Sequence, residues 1–69
     1  MSALIEQVDE MVRFVLDQPN QDGIIECSPT AGTEGALIQA FLDKAEDNRL
    51  TVQAQVRRQW ILFHAYRLP

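Results

Sequence analysis

The sequence predicts a single α+β domain over residues 1–69, a two-layer α/β sandwich in the order α-β-α-β-β with two helices on one face of a small three-stranded sheet. Three observations carry that prediction. Two stretches repeat their apolar residues at three- and four-residue steps, the helical period. From Leu50 the period drops to two, as in a half-buried strand. The last run, Gln59–Arg67, is rich in aromatic and β-branched residues. Laying both helical stripes on one side of a sheet is the economical way to bury them. With 69 residues, 46% of them hydrophobic and 23% charged, the chain suffices for one core and lacks the composition of a disordered segment.

Taken in order, Ser2 is placed to cap a first helix over roughly 3–18. Its stripe is Leu4, Ile5, Val8, Met11, Val12, Val15 and Leu16, with Glu6, Asp9, Glu10, Arg13 and Asp17 opposite. Phe14 falls outside the stripe, so it either folds over the helix edge or meets a partner. Pro19-Asn20-Gln21-Asp22-Gly23 stops the helix and turns the chain. Gly23–Cys27 follows as a short strand with its β-branched pair at Ile24 and Ile25. Ser28–Gly32 is a loop, and Thr33 is placed to cap a second helix over 34–48, buried along Leu37, Ile38, Phe41, Leu42 and Ala45. Arg49 suits the negative end of that helix. Leu50, Val52, Ala54 and Val56 then alternate with Thr51, Gln53, Gln55 and Arg57, and a turn near 56–58 leads into the last strand.

Charge and composition exclude several functions. All ten acids lie in residues 1–48, offset only by Arg13 and Lys44, while residues 49–69 hold Arg49, Arg57, Arg58 and Arg67 without an acid. An acidic body repels polyphosphate at long range, which disfavours general nucleic-acid binding and leaves a local basic patch at the C-terminal end. One cysteine forms no internal disulfide and no cysteine-based zinc site, and one histidine forms no paired-histidine metal motif. No apolar run reaches the ~20 residues of a membrane span, and no signal-peptide pattern opens the chain. The expectation is a cytoplasmic protein with no membrane association, no metal and no cofactor.

The last strand leaves a surface over. Ile61, Phe63 and Ala65 point to one side, and Trp60, Leu62, His64 and Tyr66 to the other. If the helices cover the first set, the second stands open beside Gln53, Gln55 and Arg57, and two helices leave nothing to cover it. A one-residue register shift exchanges the faces and puts Trp60 and Tyr66 in the core, with Phe63 outward. In either arrangement a strand apolar on both faces, in a two-layer fold, keeps one face partly uncovered.

Candidate chemistry is sparse. Cys27 ends a strand ahead of a helix N-terminus, a place that can stabilise a thiolate. The six residues after it, Ser-Pro-Thr-Ala-Gly-Thr, hold no arginine of the kind a phosphatase-type loop requires. Thr30–Gly35 can cradle an anion with backbone amides, but it matches neither the lysine-bearing P-loop nor Gly-x-Gly-x-x-Gly, and Glu34 opposes a phosphate there. His64 has no second ligand at metal-binding spacing. No enzyme constellation emerges, and no catalytic residue is assigned.

In element order, Ile24–Tyr66 resembles two small families. Ile25-Glu26-Cys27-Ser28-Pro29 followed by Gly35-Ala36-Leu37-Ile38-Gln39 resembles the strand, loop and helix of the Arg-x-x-x-His domain, which binds single-stranded nucleic acid. The family's arginine and histidine correspond to Gly35 and Gln39. The strand-helix-strand-strand half is similar to the TusA/SirA sulfur carriers, whose Cys-Pro pair opens a helix where this chain has no cysteine. What these resemblances imply is a fold.

The function expected is a non-catalytic interaction module of the adaptor, accessory or inhibitor type. It would bind another protein or itself, as a homo-oligomer, through Trp60, Leu62, His64 and Tyr66 framed by Arg57, Gln53 and Gln55. A strand edge can also extend the sheet into a partner. The alternative is single-stranded RNA or DNA binding, with bases stacked on Trp60 and Tyr66 and phosphates held by Arg57, Arg58 and Arg67.

Overall fold

A computed structural model describes residues 3–68. Helix α1 spans Ala3–Leu16, a short 3₁₀ turn Pro19–Gln21, strand β1 Asp22–Cys27, helix α2 Glu34–Asp47, strand β2 Thr51–Arg57 and strand β3 Trp60–Tyr66. This is the expected order; the proposed cap Ser2 lies outside the described residues. The sheet is antiparallel in the order β1-β3-β2, so the last strand is the central one. Both helices pack on one side of it, and the molecule is only 15 Å across its thinnest axis, the depth of one helix layer on one sheet layer.

The core is the meeting of three stripes. Val8, Met11, Val12 and Val15 from α1, Leu37, Phe41 and Ala45 from α2, and Ile61, Phe63 and Ala65 from β3 are all buried. Phe41 and Phe63 lie at its centre with ring centroids 4.6 Å apart, tilted by 46°. Among the described residues no polar side chain is buried, so packing and the backbone ladder hold the fold. The Lys44–Asp9 ion pair that links the helices at 3.5 Å is exposed on both sides and contributes at most ~1 kcal/mol.

The helical stripes are narrower than their sequence suggests. Ile38 is half-buried, Leu42 is 37% exposed and Ile5 60%, because each sits at the rim of a layer only two helices wide. The strand period likewise overstates the burial of β2. Val52 is half-buried, but Ala54 is exposed and Val56 is 60% exposed, since the helices do not reach the hairpin end. Leu50 precedes β2 and belongs to the end of α2. Arg49 takes the left-handed conformation (φ 61°), its N–H bonds the Glu46 carbonyl at 2.9 Å, and the Leu50 N–H bonds that of Ala45 at 2.9 Å. This is a Schellman motif with arginine at the position glycine usually takes, sealed by burial of Leu50 with Ala45. At the other end, Thr33 occupies the cap position but makes no side-chain cap bond; its Oγ1 donates instead to the Thr30 carbonyl at 2.6 Å.

The turn after α1 also differs in how it uses its glycine. Asn20 (φ 60°) and Gln21 (φ 52°) supply the left-handed residues, while Gly23 lies in β1 and serves close approach. A Cβ there would stand 3.3 Å from Val15 Cγ2 and Gln18 Cγ and 3.5 Å from Phe14 Cε2. Phe14 therefore folds over the helix edge onto β1. Gly23→Val should destabilise the fold by about 1–3 kcal/mol through overpacking. Gly35→Ala, in a helical turn with open space around it, should stabilise it by about 0.5 kcal/mol. Urea denaturation of both variants checks the opposite signs.

Candidate functional site

Because β3 is central, its uncovered side chains form the middle of a face completed by both neighbours. The register sets Trp60 beside Arg57, Leu62 between Glu26 and Gln55, His64 between Ile24 and Gln53, and Tyr66 between Asp22 and Thr51. The arrangement is the one in which Ile61, Phe63 and Ala65 are inside, so Trp60, Leu62, His64 and Tyr66 stand with Arg57, Gln53 and Gln55 on the open side. Trp60 is 50% exposed and Ile24 61%.

Two shallow clefts adjoin on this face. One of about 310 Å³ lies among Glu26, Gln55, Arg57, Trp60 and Leu62. The other, of about 180 Å³, lies among Ile24, Gln53, Gln55, Leu62 and His64. The first pairs an indole and a leucine with one acid and one guanidinium, a mixture suited to a protein side chain with an apolar body and a polar tip. His64 is held in place: its Nε2 lies 2.7 Å from Asp22 Oδ1, and its ring packs on Tyr66 at 4.7 Å. The bond runs diagonally across the β1–β3 pair and clasps the edge strand to the centre.

Asp22, Ile24 and Glu26 were missed as face residues in the sequence. Their signal was two acids in phase with Ile24, but the adjacent Ile24-Ile25 pair allows either phase, and only the pairing to β3 selects one.

The arginines separate. Arg57 and Arg58 sit at the hairpin end near Trp60, with Arg58 the first residue of a two-residue turn and strained to φ 49°. Arg67 lies at the far end of β3, ~20 Å away along the strand. Its Nε donates to Gln21 Oε1 and its Nη2 to the Asn48 carbonyl at 3.1 Å. Arg67 is thus a tie between the start of β1 and the end of α2, apart from the other two.

The candidate reactive groups face away from one another. Cys27 points to the helix side, half-buried, with its thiol 3.8 Å from the Ile61 carbonyl, whereas His64 is on the open side, so the sheet lies between them. Burial pushes the Cys27 thiol pKa up, which disfavours the thiolate. In the 30–35 loop, the Gly32 N–H donates to Glu34 Oε2 at 3.0 Å, so the chain's own carboxylate occupies the amide an anion would use. Gln39 Nε2 donates to Asp43 Oδ1 on the solvent side of α2. Among the described residues no group of three or more His, Cys, Asp or Glu is arranged to hold a metal ion, and no helix is long and apolar enough to cross a membrane.

Comparison with protein-family models, with the curated proteins and with the solved structures finds no match to this chain.

The Cys27 environment makes a definite prediction. At neutral pH its thiol should react with an aromatic disulfide reagent more slowly than free cysteine does, and unfolding the chain in urea should restore the ordinary rate. Reaction faster than free cysteine in the folded protein would contradict the inward, desolvated placement.

Proposed function

We propose that the chain is a non-catalytic interaction module that takes a partner protein, or another copy of itself, on the open face of its sheet. The observation that carries this reading is Trp60, half-exposed beside Leu62 in a cleft flanked by Glu26 and Arg57. Covering Trp60, Leu62 and Ile24 removes apolar surface from water at ~25 cal/mol per Å². The charges around them select the partner: Arg57 and Glu26 at one end, Asp22 with His64 at the other, require a complementary polar rim. Tryptophan and arginine, which stand side by side here as Trp60 and Arg57, are the residue types enriched among those that dominate binding energy. An adaptor, an accessory subunit and an inhibitor all work by this kind of docking.

Single-strand nucleic-acid binding on the same face is the second reading, favoured by Arg57 and Arg58 beside Trp60. It is the weaker one. Arg67 already bonds Gln21 and Asn48, and Glu26 lines the cleft where a phosphate or base edge would approach.

Affinity capture with the wild-type chain as bait, repeated with Trp60→Ala, tests the assignment. Partners held through the face should lose about 2 kcal/mol or more, roughly a 30-fold drop in affinity. Equal capture by a folded Trp60→Ala chain refutes the face as the site. A salt-dependent quench of Trp60 by short single-stranded RNA would move the assignment to the second reading.

A further inference from the structure

The two outer strands of the sheet differ in a way that bears on self-association. β1 carries Asp22 and Glu26, and α1 leans over it through Phe14 at Gly23. Charges of this kind guard an edge against strand addition. β2 begins Thr51-Val52-Gln53-Ala54-Gln55-Val56, six residues without a charge, a proline or a glycine, and Gln53–Arg57 are exposed. An edge strand of this composition is open to pairing.

Its sequence also specifies with what. Val52-Gln53-Ala54-Gln55-Val56 reads the same in both directions. Laid antiparallel on a copy of itself about a two-fold axis at Ala54, it meets its own image: Val52 opposite the partner's Val56, Gln53 opposite the partner's Gln55, Ala54 opposite the partner's Ala54. Thr51 falls opposite the partner's Arg57, so no like charges face each other directly. β1 fails the same test, since antiparallel pairing about Ile24 sets Asp22 against the partner's Glu26.

The backbone arrives at the same register independently. Arg57 and Trp60 close a two-residue hairpin turn and form a hydrogen-bonded pair. Counting back along the alternating ladder, Val52, Ala54 and Val56 turn their N–H and C=O groups away from β3. These are the positions that a two-fold at Ala54 brings together. The pairing also sets the partner's Val52 beside Val56, which is 60% exposed on the helix side of the sheet, at the hairpin end that the helices do not reach.

We infer that β2 pairs antiparallel with β2 of a second copy about a two-fold axis at Ala54, joining two three-stranded sheets into one with both open aromatic faces on the same side. This does not depend on what the open face binds. Amide hydrogen exchange of the full chain, followed with concentration alongside its absolute mass by light scattering, tests it. The mass should double as concentration rises. The amides of Val52, Ala54 and Val56 should then slow by about tenfold or more, while those of Gln53 and Gln55, already bonded to β3, stay unchanged.

Val56→Lys, which adds an edge charge, should return the chain to monomer. Ala54→Pro, which removes only an outward N–H, should do the same. Trp60→Ala should leave the dimer intact. If circular dichroism shows either edge variant unfolded, the wild-type exchange pattern decides alone. A chain that stays monomeric throughout, or a dimer lost on Trp60→Ala whose three amides still exchange freely, overturns the inference. The latter would instead support self-association through the open face.

Discussion

Phe63 packs against Phe41 at the middle of the central strand, and that contact sets the phase of the whole sheet. Side chains alternate along a strand, so with Phe63 inside, Ile61 and Ala65 are inside and Trp60, Leu62, His64 and Tyr66 are out. The ladder carries the choice sideways. Ile25 and Ala54 pair with Phe63, which puts Ile24 and Glu26 on the open side of one edge and Gln53 and Gln55 on the open side of the other. A slip of one residue in β3 would therefore invert the surface chemistry of all three strands together.

The rest of the architecture divides the molecule into a tied end and an open end. At the tied end the helix terminus is closed by Arg49 and Leu50, the chain turns through Asn20 and Gln21, and Arg67 reaches both Gln21 and Asn48. The His64–Asp22 bond lies toward this end as well, joining β1 to β3. At the hairpin end the helices give no such cover. Val56 and Trp60 stay exposed there on opposite faces of the sheet, next to Arg57 and Arg58.

The same sheet explains why the reactive side chains come to nothing as a catalytic pair. Cys27 and His64 belong to opposite faces, and the layer that separates them is the sheet itself. The thiol is desolvated and bonded toward the Ile61 carbonyl, and the imidazole is engaged by Asp22 and Tyr66. Each residue has a structural role that accounts for its position.

Much of this was legible in the chain. The order of elements, the stripes of α1 and α2 and the two faces of β3 follow from periodicity, a property of neighbouring residues, and so did the grouping of Trp60, Leu62, His64 and Tyr66. What the chain did not reveal depends on partners distant in sequence. That β3 would lie between β1 and β2, and so bring Ile24 and Glu26 to the face, is a matter of backbone pairing, which every residue but proline supports alike. That Arg67 would be drawn away from Arg57 and Arg58 required Gln21 and Asn48, separated from it by 46 and 19 residues, to arrive at the same end of the sheet. That Gly23 serves close packing rather than the turn depended on where Val15 and Phe14 come to rest. Local patterns specify which side of an element is apolar; only tertiary structure decides which apolar sides find cover, because cover is supplied by whatever the fold brings across from elsewhere in the chain.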